Sequence, residues 1–413
     1  MAGPELRTEP GRVIADLKEL RALTADEDGA QRLAWSDIWV AAREWFDRKL
    51  EGLDVSVEVD QAGNKWVTLA GADPRPLILA GHIDSVPNGG WLDGSLGLLA
   101  GLEVLRAAAA AGPPPVTLQL VDWADEEGAR FGYGMLGSSA VSGSLDLERV
   151  RGLSDREGNA LPTVLAARGV EVEKMLAARG RLADARGYIE LHIEQGPVLE
   201  DLGLPLAVVN GTVGVERHVV RFGGQAAHAG PTPMDRRREA LAAAARLLLA
   251  MREEALEAGS KFTAGRLVTR PGVATVVAAE VELTVDQRHA DADILADLLA
   301  RAKARAAEIA AEEDVSCEWT RLWGIEPMAF DQQLIEIATG VVEELAGEAP
   351  RMDSGALHDA GEVVRAGVPT VMLFVQSLGG ISHTKVEDTR EADLILSVEA
   401  LAKLVERALE QAS

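Results

Sequence analysis

The order of apolar and polar positions divides the chain into alternating helices and strands. Apolar residues recur at helical spacing over residues 12–23, 38–50 and 97–110. Alternating or short continuous apolar runs predict strands over residues 53–59, 65–70, 77–80, 116–123 and 188–193. Strands that alternate with helices predict an α/β fold, in which helices cover the faces of a sheet.

A different order of elements begins near residue 211. The patterns there predict strand, helix, strand, strand, helix and strand over residues 213–222, 233–258, 262–269, 281–286, 291–312 and 315–322. This order is that of a compact two-layer sandwich. The α/β pattern resumes with a helix over 330–347, a strand over 370–375 and a helix over 392–411. The sequence therefore predicts one domain (1–210 and 325–413) that is interrupted by a smaller one (211–324).

Composition narrows the class of protein. The 413 residues are 47% hydrophobic and 26% charged, which is typical of a globular chain and excludes a mostly disordered one. With 41 Lys and Arg against 66 Asp and Glu, the net charge of −25 argues against nucleic acid as a partner. The single cysteine, Cys317, excludes an internal disulfide and a cysteine-based zinc cluster. Because no signal peptide or membrane-spanning segment is evident, we expect no membrane partner and a cytoplasmic location.

Candidate chemistry begins in the Gly-rich stretch 81–94. His82 follows a buried strand, and Asp84 lies two residues further, so both side chains can face one side of an extended segment. Asp84 can then orient the imidazole by a hydrogen bond. Asp93, which precedes Gly94, is a second acidic candidate. A single loop histidine is more often structural, but this stretch combines it with two aspartates.

Three consecutive acids, Asp125, Glu126 and Glu127, follow the strand over 116–123. At the end of a buried strand, such acids repel one another and lose solvation, and a nearby cation relieves both costs. The alternative is a solvated acidic turn.

Two further segments carry potential metal ligands. Glu190, His192 and Glu194 alternate with apolar residues and therefore share one strand face. His383 lies in a Gly-rich loop after a buried strand. Histidine, aspartate and glutamate at four strand ends, without cysteine, are the ligand types of a two-metal hydrolytic site.

Six motifs together resemble the M20-type metallohydrolases. They are GHIDSVPNGGWLDGSLG, DEEGARFGYGMLGS, ELHIEQGPVLE, GQAAHAGPTPMDRRREAL, SGALHDA and GGISHTKVEDT, in order from Gly81 to Thr389. They are most similar to the amidase branch of N-carbamoyl-L-amino-acid hydrolases, bacterial β-ureidopropionases and allantoate amidohydrolases. The resemblance implies a catalytic domain with two divalent ions (Zn, Mn, Co or Ni), an inserted lid domain that mediates homodimerisation, and a small ureido acid as substrate.

The resemblance also implies roles for individual residues. His82, Asp93 and His192 would bind the first metal, and Asp93, Glu127 and His383 the second, so that Asp93 bridges the two. Glu126 would be the general base, and His228 would donate to the developing oxyanion. Substrate contacts would come from Gln195, Arg217, Thr275, Arg288, Ser354 and Gly355, with Arg288 binding the substrate carboxylate. An ion pair of Arg288 with Asp286 or Asp291 is the structural alternative.

Several functions remain open on the same scaffold. An allantoate or ureidoglycolate amidohydrolase, an N-acyl-amino-acid deacylase and a dipeptidase are alternatives to a carbamoylase. A non-catalytic binding protein is expected to have lost metal ligands or the base, and all of these are present. Three positions depart from the family pattern. None of them is a metal ligand, so these departures bear on the choice of substrate and not on metal binding. They are Thr275 where Asn is usual, Leu357 where Gly is typical, and Gln376 where Pro is common.

Overall fold

The computed structural model describes residues 5–412. The chain divides into two compact units. The larger comprises the residues up to Gly211 and those from Ala329 onward, and the smaller comprises Thr212–Met328. None of the helices in the described range 5–412 has the length and apolar character needed to cross a membrane.

The first stretch of the larger unit alternates helices with strands. Its helices are α1 (Pro10–Thr24), α2 (Asp37–Lys49), α3 (Ser95–Ala111), α4 (Leu136–Ser142), α5 (Leu147–Arg151), α6 (Leu161–Ala166) and α7 (Val198–Leu202), with a 3-10 helix at Val172–Ala178. Its strands are β1 (Ala25–Asp26), β2 (Gly29–Ala30), β3 (Ser56–Val59), β4 (Lys65–Leu69), β5 (Asp73–His82), β6 (Val116–Trp123), β7 (Gly187–Ile193) and β8 (Leu206–Thr212). Strand β8 was not predicted from the sequence.

The smaller unit contains the predicted β-α-β-β-α-β order. Its elements are β9 (Gly214–Gly223), β10 (Ala227–His228), a 3-10 helix (Met234–Arg236), α8 (Ala240–Glu257), β11 (Lys261–Arg270), β12 (Val276–Val277), β13 (Glu280–His289), α9 (Ala292–Glu312) and β14 (Ser316–Ile325). The long strands form one sheet in the order β11-β13-β9-β14, and β10 pairs with β12.

The predicted start of the second-unit helix at Pro233 is wrong, because α8 begins at Ala240. The backbone of Arg237 is extended rather than helical, with φ −85° and ψ 141°. The carbonyl oxygen of Arg238 accepts a hydrogen bond from the backbone N–H of Gln225 at 2.9 Å. Residues 234–236 form only a short 3-10 helix, and this tertiary contact holds the extended backbone after it despite the proline start signal.

The chain then returns to the larger unit. The remaining elements are β15 (Met328–Ala329), α10 (Gln332–Ala346), β16 (Arg351–Ser354), α11 (Asp359–Arg365), β17 (Thr370–Val375), a 3-10 helix (Leu378–Gly380) and α12 (Glu391–Ala412). The large sheet has the order β15-β8-β17-β7-β5-β6-β4-β3, with β16 beside β8. Strands β17, β7, β5 and β6 are parallel, and the pairs β17–β8, β6–β4 and β4–β3 are antiparallel. The predicted class, a mixed sheet with flanking helices, is confirmed.

Helix α3 lies against the centre of this sheet. It is apolar on almost every side, and 13 of its 17 residues are buried. A Cβ atom at Gly97 would lie 2.4 Å from the carbonyl oxygen of Leu191 on β7. The glycine therefore permits the close approach of helix to sheet, and this approach places the start of α3 beside the carboxyl ends of β5 and β7.

Candidate metal centre

The first part of the centre is built where β5 ends and α3 begins. His82 is the last residue of β5, and Asp93 lies two residues before α3. Gly94, between Asp93 and the helix, has φ +63°, and a Cβ atom there would lie 2.3 Å from the ring of His82. Only glycine accommodates both the backbone conformation and the approach of the ring. The Nε2 atom of His82 consequently lies 3.9 Å from Oδ1 of Asp93.

Candidate ligands from four segments converge on Asp93. The Nε2 atom of His192, near the end of β7, lies 3.2 Å from Asp93 Oδ1. The Nε2 atom of His383 lies 3.1 Å from Asp93 Oδ2 and 3.4 Å from Glu127 Oε2. The structure thus brings together a first ligand set (His82, Asp93, His192) and a second ligand set (Asp93, Glu127, His383), which share Asp93. Their roles as metal ligands stay a prediction.

The spacing of these atoms suits divalent ions. Bonds of about 2.0–2.2 Å in a tetrahedral site place neighbouring ligand atoms about 3.3–3.6 Å apart. The distances of 3.1 and 3.4 Å around His383, and of 3.2 Å at His192, are close to that range, and the 3.9 Å between His82 and Asp93 is somewhat longer. Imidazole nitrogen and carboxylate oxygen are also the ligand types that such ions take in the absence of cysteine. The residues therefore fit the metals that the sequence predicts.

The pKa values of the acidic side chains at the centre also favour bound cations. Burial raises the pKa of Glu127 to about 8, and the neighbouring Asp93 carboxylate adds to this shift. Burial also raises the pKa of Glu126 above its usual range, with further nearby carboxylates adding to it. The contact with Asp93 raises the pKa of His383 to about 9. Carboxylates crowded in this way retain protons unless cations balance them, which is the role a pair of divalent ions would fill.

Glu126 lies beside the ligand sets but belongs to neither. Its side chain is 10% exposed, and Oε2 lies 3.8 Å from Nε2 of His82. The Asp84 carboxylate holds this turn, because it accepts hydrogen bonds from the backbone N–H groups of Glu126 and Glu127 at 3.4 and 3.2 Å. The structure therefore gives the Asp84 carboxylate a second role beside the predicted one. Nδ1 of His82 lies 3.2 Å from the backbone carbonyl oxygen of Asp84 and 3.7 Å from its carboxylate Oδ1.

The two acids predicted on the same face as His192, Glu190 and Glu194, make different hydrogen bonds. Glu194 accepts hydrogen bonds from the backbone N–H groups of Val198 and Leu199 at 2.7 and 2.9 Å, and so fixes the first turn of α7. Glu190 accepts a hydrogen bond from the hydroxyl of Tyr188 at 2.6 Å. Of the three predicted candidates on this strand, only His192 belongs to the two ligand sets.

Gln195, which follows β7, reaches the centre. Its Nε2 atom donates to Asp93 Oδ2 at 3.0 Å, and its Oε1 atom is buried without a hydrogen-bond partner. Such an acceptor is suited to an N–H group of a bound molecule, since an unpaired buried oxygen is costly.

The predicted substrate contact Ser354 lies close to His358, which is a neighbour of His192. The Oγ atom of Ser354 is 2.9 Å from Nε2 of His358, and the ring of His358 is 4.5 Å from that of His192. Gly355 follows Ser354 at the end of β16. His358, which the sequence left unassigned, is thus a buried neighbour of a candidate ligand, and it forms a third ligand-like group with Glu190 and His192.

The smaller unit carries the other predicted substrate residues. Arg217 and Arg288 meet on one carboxylate, that of Asp286, with Nε–O distances of 2.8 and 2.9 Å. The ion pair considered as the structural alternative for Arg288 is therefore present. His228 and Thr275 are exposed, and their segments are adjacent because Ala229 N–H donates to the Thr275 carbonyl oxygen at 2.9 Å.

The sequence analysis missed two buried charged residues near the ligand sets. Arg32 is fully buried and donates to the Ile83 carbonyl oxygen at 2.6 Å and to Ser95 Oγ at 3.0 Å, so it joins the loops of His82 and Asp93. Glu387 lies in the loop after His383. The sequence shows Arg32 beside apolar residues and Glu387 in the loop of His383. It does not show that both side chains are buried, because burial depends on tertiary packing.

The sheet and the paired ligand sets agree with those of a metal-dependent class of hydrolase. The chain belongs to the peptidase family M20/M25/M40, whose sequence profile matches residues 78–407. It is 34% identical to an allantoate amidohydrolase of Escherichia coli over 91% of this chain and 92% of that protein. It is also 34% identical to an N-carbamoyl-L-amino acid amidohydrolase of Geobacillus stearothermophilus, over 90% and 92% of the two chains.

A solved structure extends the comparison to the fold. A hydantoinase/carbamoylase-family amidase from Burkholderia multivorans superposes with a TM-score of 0.87 at 32% identity, and 98% of each chain is covered. The predicted family, fold class and hydrolase class are confirmed, and amidohydrolase activity is supported.

Proposed function

We propose that this protein is a metal-dependent amidohydrolase that cleaves the carbamoyl C–N bond of an N-carbamoyl-L-amino acid or a related ureido acid. The products are the amino acid, carbon dioxide and ammonia. The observation that carries the proposal is the convergence of two ligand sets on Asp93, with the acid Glu126 beside them. The names of the relatives support a ureido acid as substrate, since both kinds of relative act on one.

Two divalent ions, such as Zn, Mn, Co or Ni, suit the two ligand sets. His82, Asp93 and His192 would hold one ion, and Asp93, Glu127 and His383 would hold the other. Bound divalent ions lower the pKa of a water molecule and polarise a carbonyl oxygen, which matters because the carbon of a urea is a weak electrophile.

The protein's own groups would then move protons and orient the substrate. Glu126 takes a proton from the attacking water and delivers it to the leaving nitrogen, as a general base and then acid. The free Oε1 atom of Gln195 accepts from an N–H group of the ureido substrate. His228 donates to the oxyanion that develops on the attacked carbonyl.

Arg288, with Arg217, is proposed to bind the substrate carboxylate. A guanidinium forms two parallel hydrogen bonds with a carboxylate, which fixes orientation as well as charge. Asp286 accepts hydrogen bonds from both arginines and so holds the two guanidinium groups at one carboxylate. Two other expectations from the sequence also stay predictions: that the protein forms a homodimer and that it is located in the cytoplasm.

A substrate panel tests the proposal. The metal-loaded protein is assayed for ammonia and amine release from N-carbamoyl amino acids, allantoate, N-acyl amino acids and dipeptides at matched concentrations. We expect hydrolysis of ureido acids, with ammonia released. Hydrolysis of N-acyl amino acids or dipeptides alone would make the protein a deacylase or dipeptidase. Ligand binding without hydrolysis of any substrate, with metals bound, would make it a binding protein.

A further inference from the structure

Glu387 is a buried acid that belongs to neither ligand set. It lies in the loop between β17 and α12, four residues after His383, and is 2% exposed. Its Oε1 atom accepts hydrogen bonds from the backbone N–H groups of Leu92 and Asp93, at 3.0 and 3.1 Å. Asp93, the residue shared by both ligand sets, is thus held by an acid 294 positions away in the chain.

The other oxygen of the same carboxylate reaches the segment of His383. Oε2 accepts a hydrogen bond from the hydroxyl of Ser382 at 2.7 Å, and Ser382 directly precedes His383. The Ser382 hydroxyl also lies 3.3 Å from Oδ2 of Asp93. One buried side chain therefore links the backbone of Asp93 to the loop that carries His383.

The packing around Glu387 leaves little freedom to its carboxylate. A Cβ atom at Gly90 would lie 2.0 Å from both Cδ and Oε1 of Glu387, so the glycine loop closes directly over the carboxylate. The charge of the buried Arg32 interacts with that of Glu387, but Arg32 donates hydrogen bonds to other groups, among them the Ile83 carbonyl oxygen and Ser95 Oγ. The hydrogen-bond partners of Glu387 are the backbone of the Asp93 loop and the hydroxyl of Ser382, so this side chain links two loops.

We infer that Glu387 is a positioning residue that sets the separation of Asp93 and His383, and thereby the affinity of the second ligand set for its metal ion. The inference rests on the proposed function, because it requires the two ligand sets to bind metals. Asp93 Oδ2 and His383 Nε2 now lie 3.1 Å apart. The first ligand set depends less on this link, since His82 and His192 are fixed by β5 and β7.

The test compares Glu387→Ala with the conservative Glu387→Gln. Glutamine keeps an oxygen that can accept from the N–H groups of Leu92 and Asp93, and its amide can donate to Ser382. Removal of hydrogen-bond partners of metal ligands typically weakens metal binding by about 10–100-fold. We therefore expect Glu387→Ala to weaken Mn²⁺ binding at one of two sites by about 10-fold or more, and Glu387→Gln to restore most of it.

Metal binding is read directly, without an activity assay. Unbound Mn²⁺ is counted by electron paramagnetic resonance during a titration of the metal-free protein, and bound metal is counted by elemental analysis after dialysis. The matched control is Glu103→Ala. Glu103 is also a fully buried acid that accepts a backbone hydrogen bond, from Glu9 N–H at 2.7 Å, but it lies outside both ligand sets. This control is expected to lower stability and leave both Mn²⁺ affinities unchanged.

The possible outcomes separate the inference from the proposed function. Wild-type affinities at both sites in Glu387→Ala would overturn the inference, as would equal weakening in Glu103→Ala. If Glu387→Ala does not fold, Ser382→Ala is the second variant. It removes the hydrogen bond to Glu387 Oε2 together with the contact to Asp93 Oδ2, and it is expected to weaken the same site. Unchanged binding there would also overturn the inference. A wild-type protein that binds no divalent ion would contradict the proposed function itself.

Discussion

The sharpest prediction concerns Glu126→Gln. The substitution replaces a carboxylate by an amide of nearly the same shape, so the side chain can remain in its 10% exposed position. The backbone of the turn is unaffected, because Asp84 holds it through the N–H groups of residues 126 and 127. The change therefore removes the ability to accept a proton and little else.

The expected loss follows from that role. A positioned general base contributes about 10²–10⁴-fold to a rate, which corresponds to about 2.7–5.5 kcal/mol in activation free energy. Metal content is expected to stay unchanged, because Glu126 belongs to neither ligand set. Stability of the metal-free protein is expected to be equal or higher. Burial raises the pKa of Glu126 in the folded protein, so its ionised form opposes folding near neutral pH, and glutamine removes that cost.

The assay combines turnover with metal analysis. Ammonia release is measured at saturating ureido substrate, metal content by elemental analysis, and the melting temperature of the metal-free proteins by calorimetry. Glu157→Gln, an exposed acid, serves as the control and should turn over normally. A Glu126→Gln protein with full metal content and normal turnover would refute the assignment of the base.

Four further predictions address the metals, the substrate, the assembly and the fold. Chelation should abolish activity and Mn, Co, Ni or Zn should restore it, while His383→Ala should lose one ion per subunit by elemental analysis; full activity of a metal-free preparation would contradict this. Arg288→Ala should cost roughly 2–5 kcal/mol in kcat/KM on carboxylate substrates and far less on the matching carboxamides, and an equal loss on both would make the arginine structural. Mixing inactive His228→Ala and Glu126→Gln chains should regenerate activity if His228 serves the neighbouring subunit, whereas no recovery after proven subunit exchange would place it in its own chain's site. Arg43→Ala should lower the free energy of unfolding by about 3–5 kcal/mol in denaturant titrations, because it strands the buried carboxylate that Arg43 Nε contacts at 2.6 Å; a loss below about 1 kcal/mol would contradict this.

Much of the architecture could be predicted from local patterns. The runs that form β5, β6, β7 and β17 are apolar because these strands are buried in the middle of the sheet. Parallel strands end at the same edge, so polar residues that follow them are brought together by the topology. For that reason His82, the acids after β6 and His192 could be identified as candidates before their distances were known.

The exact contacts depended on the tertiary structure. Local sequence does not show that the Asp84 carboxylate turns to the backbone of the next loop, or that Glu194 caps a helix instead of facing the centre. It also does not show that α8 begins only at Ala240, after a backbone segment that is hydrogen-bonded to Gln225.

Local features of the chain were enough to predict the family, the mixed α/β architecture and the residue types available for metal binding and proton transfer. These follow from hydrophobic periodicity and from motifs that are local in the chain. Which acids face the centre and which support it depends on how distant segments pack together. Glu387 is the clearest case, since its partner Asp93 lies 294 positions away and their contact arises only when the sheet brings the two loops together. Burial and hydrogen bonding between distant segments are properties of the folded packing, so no local pattern specifies them.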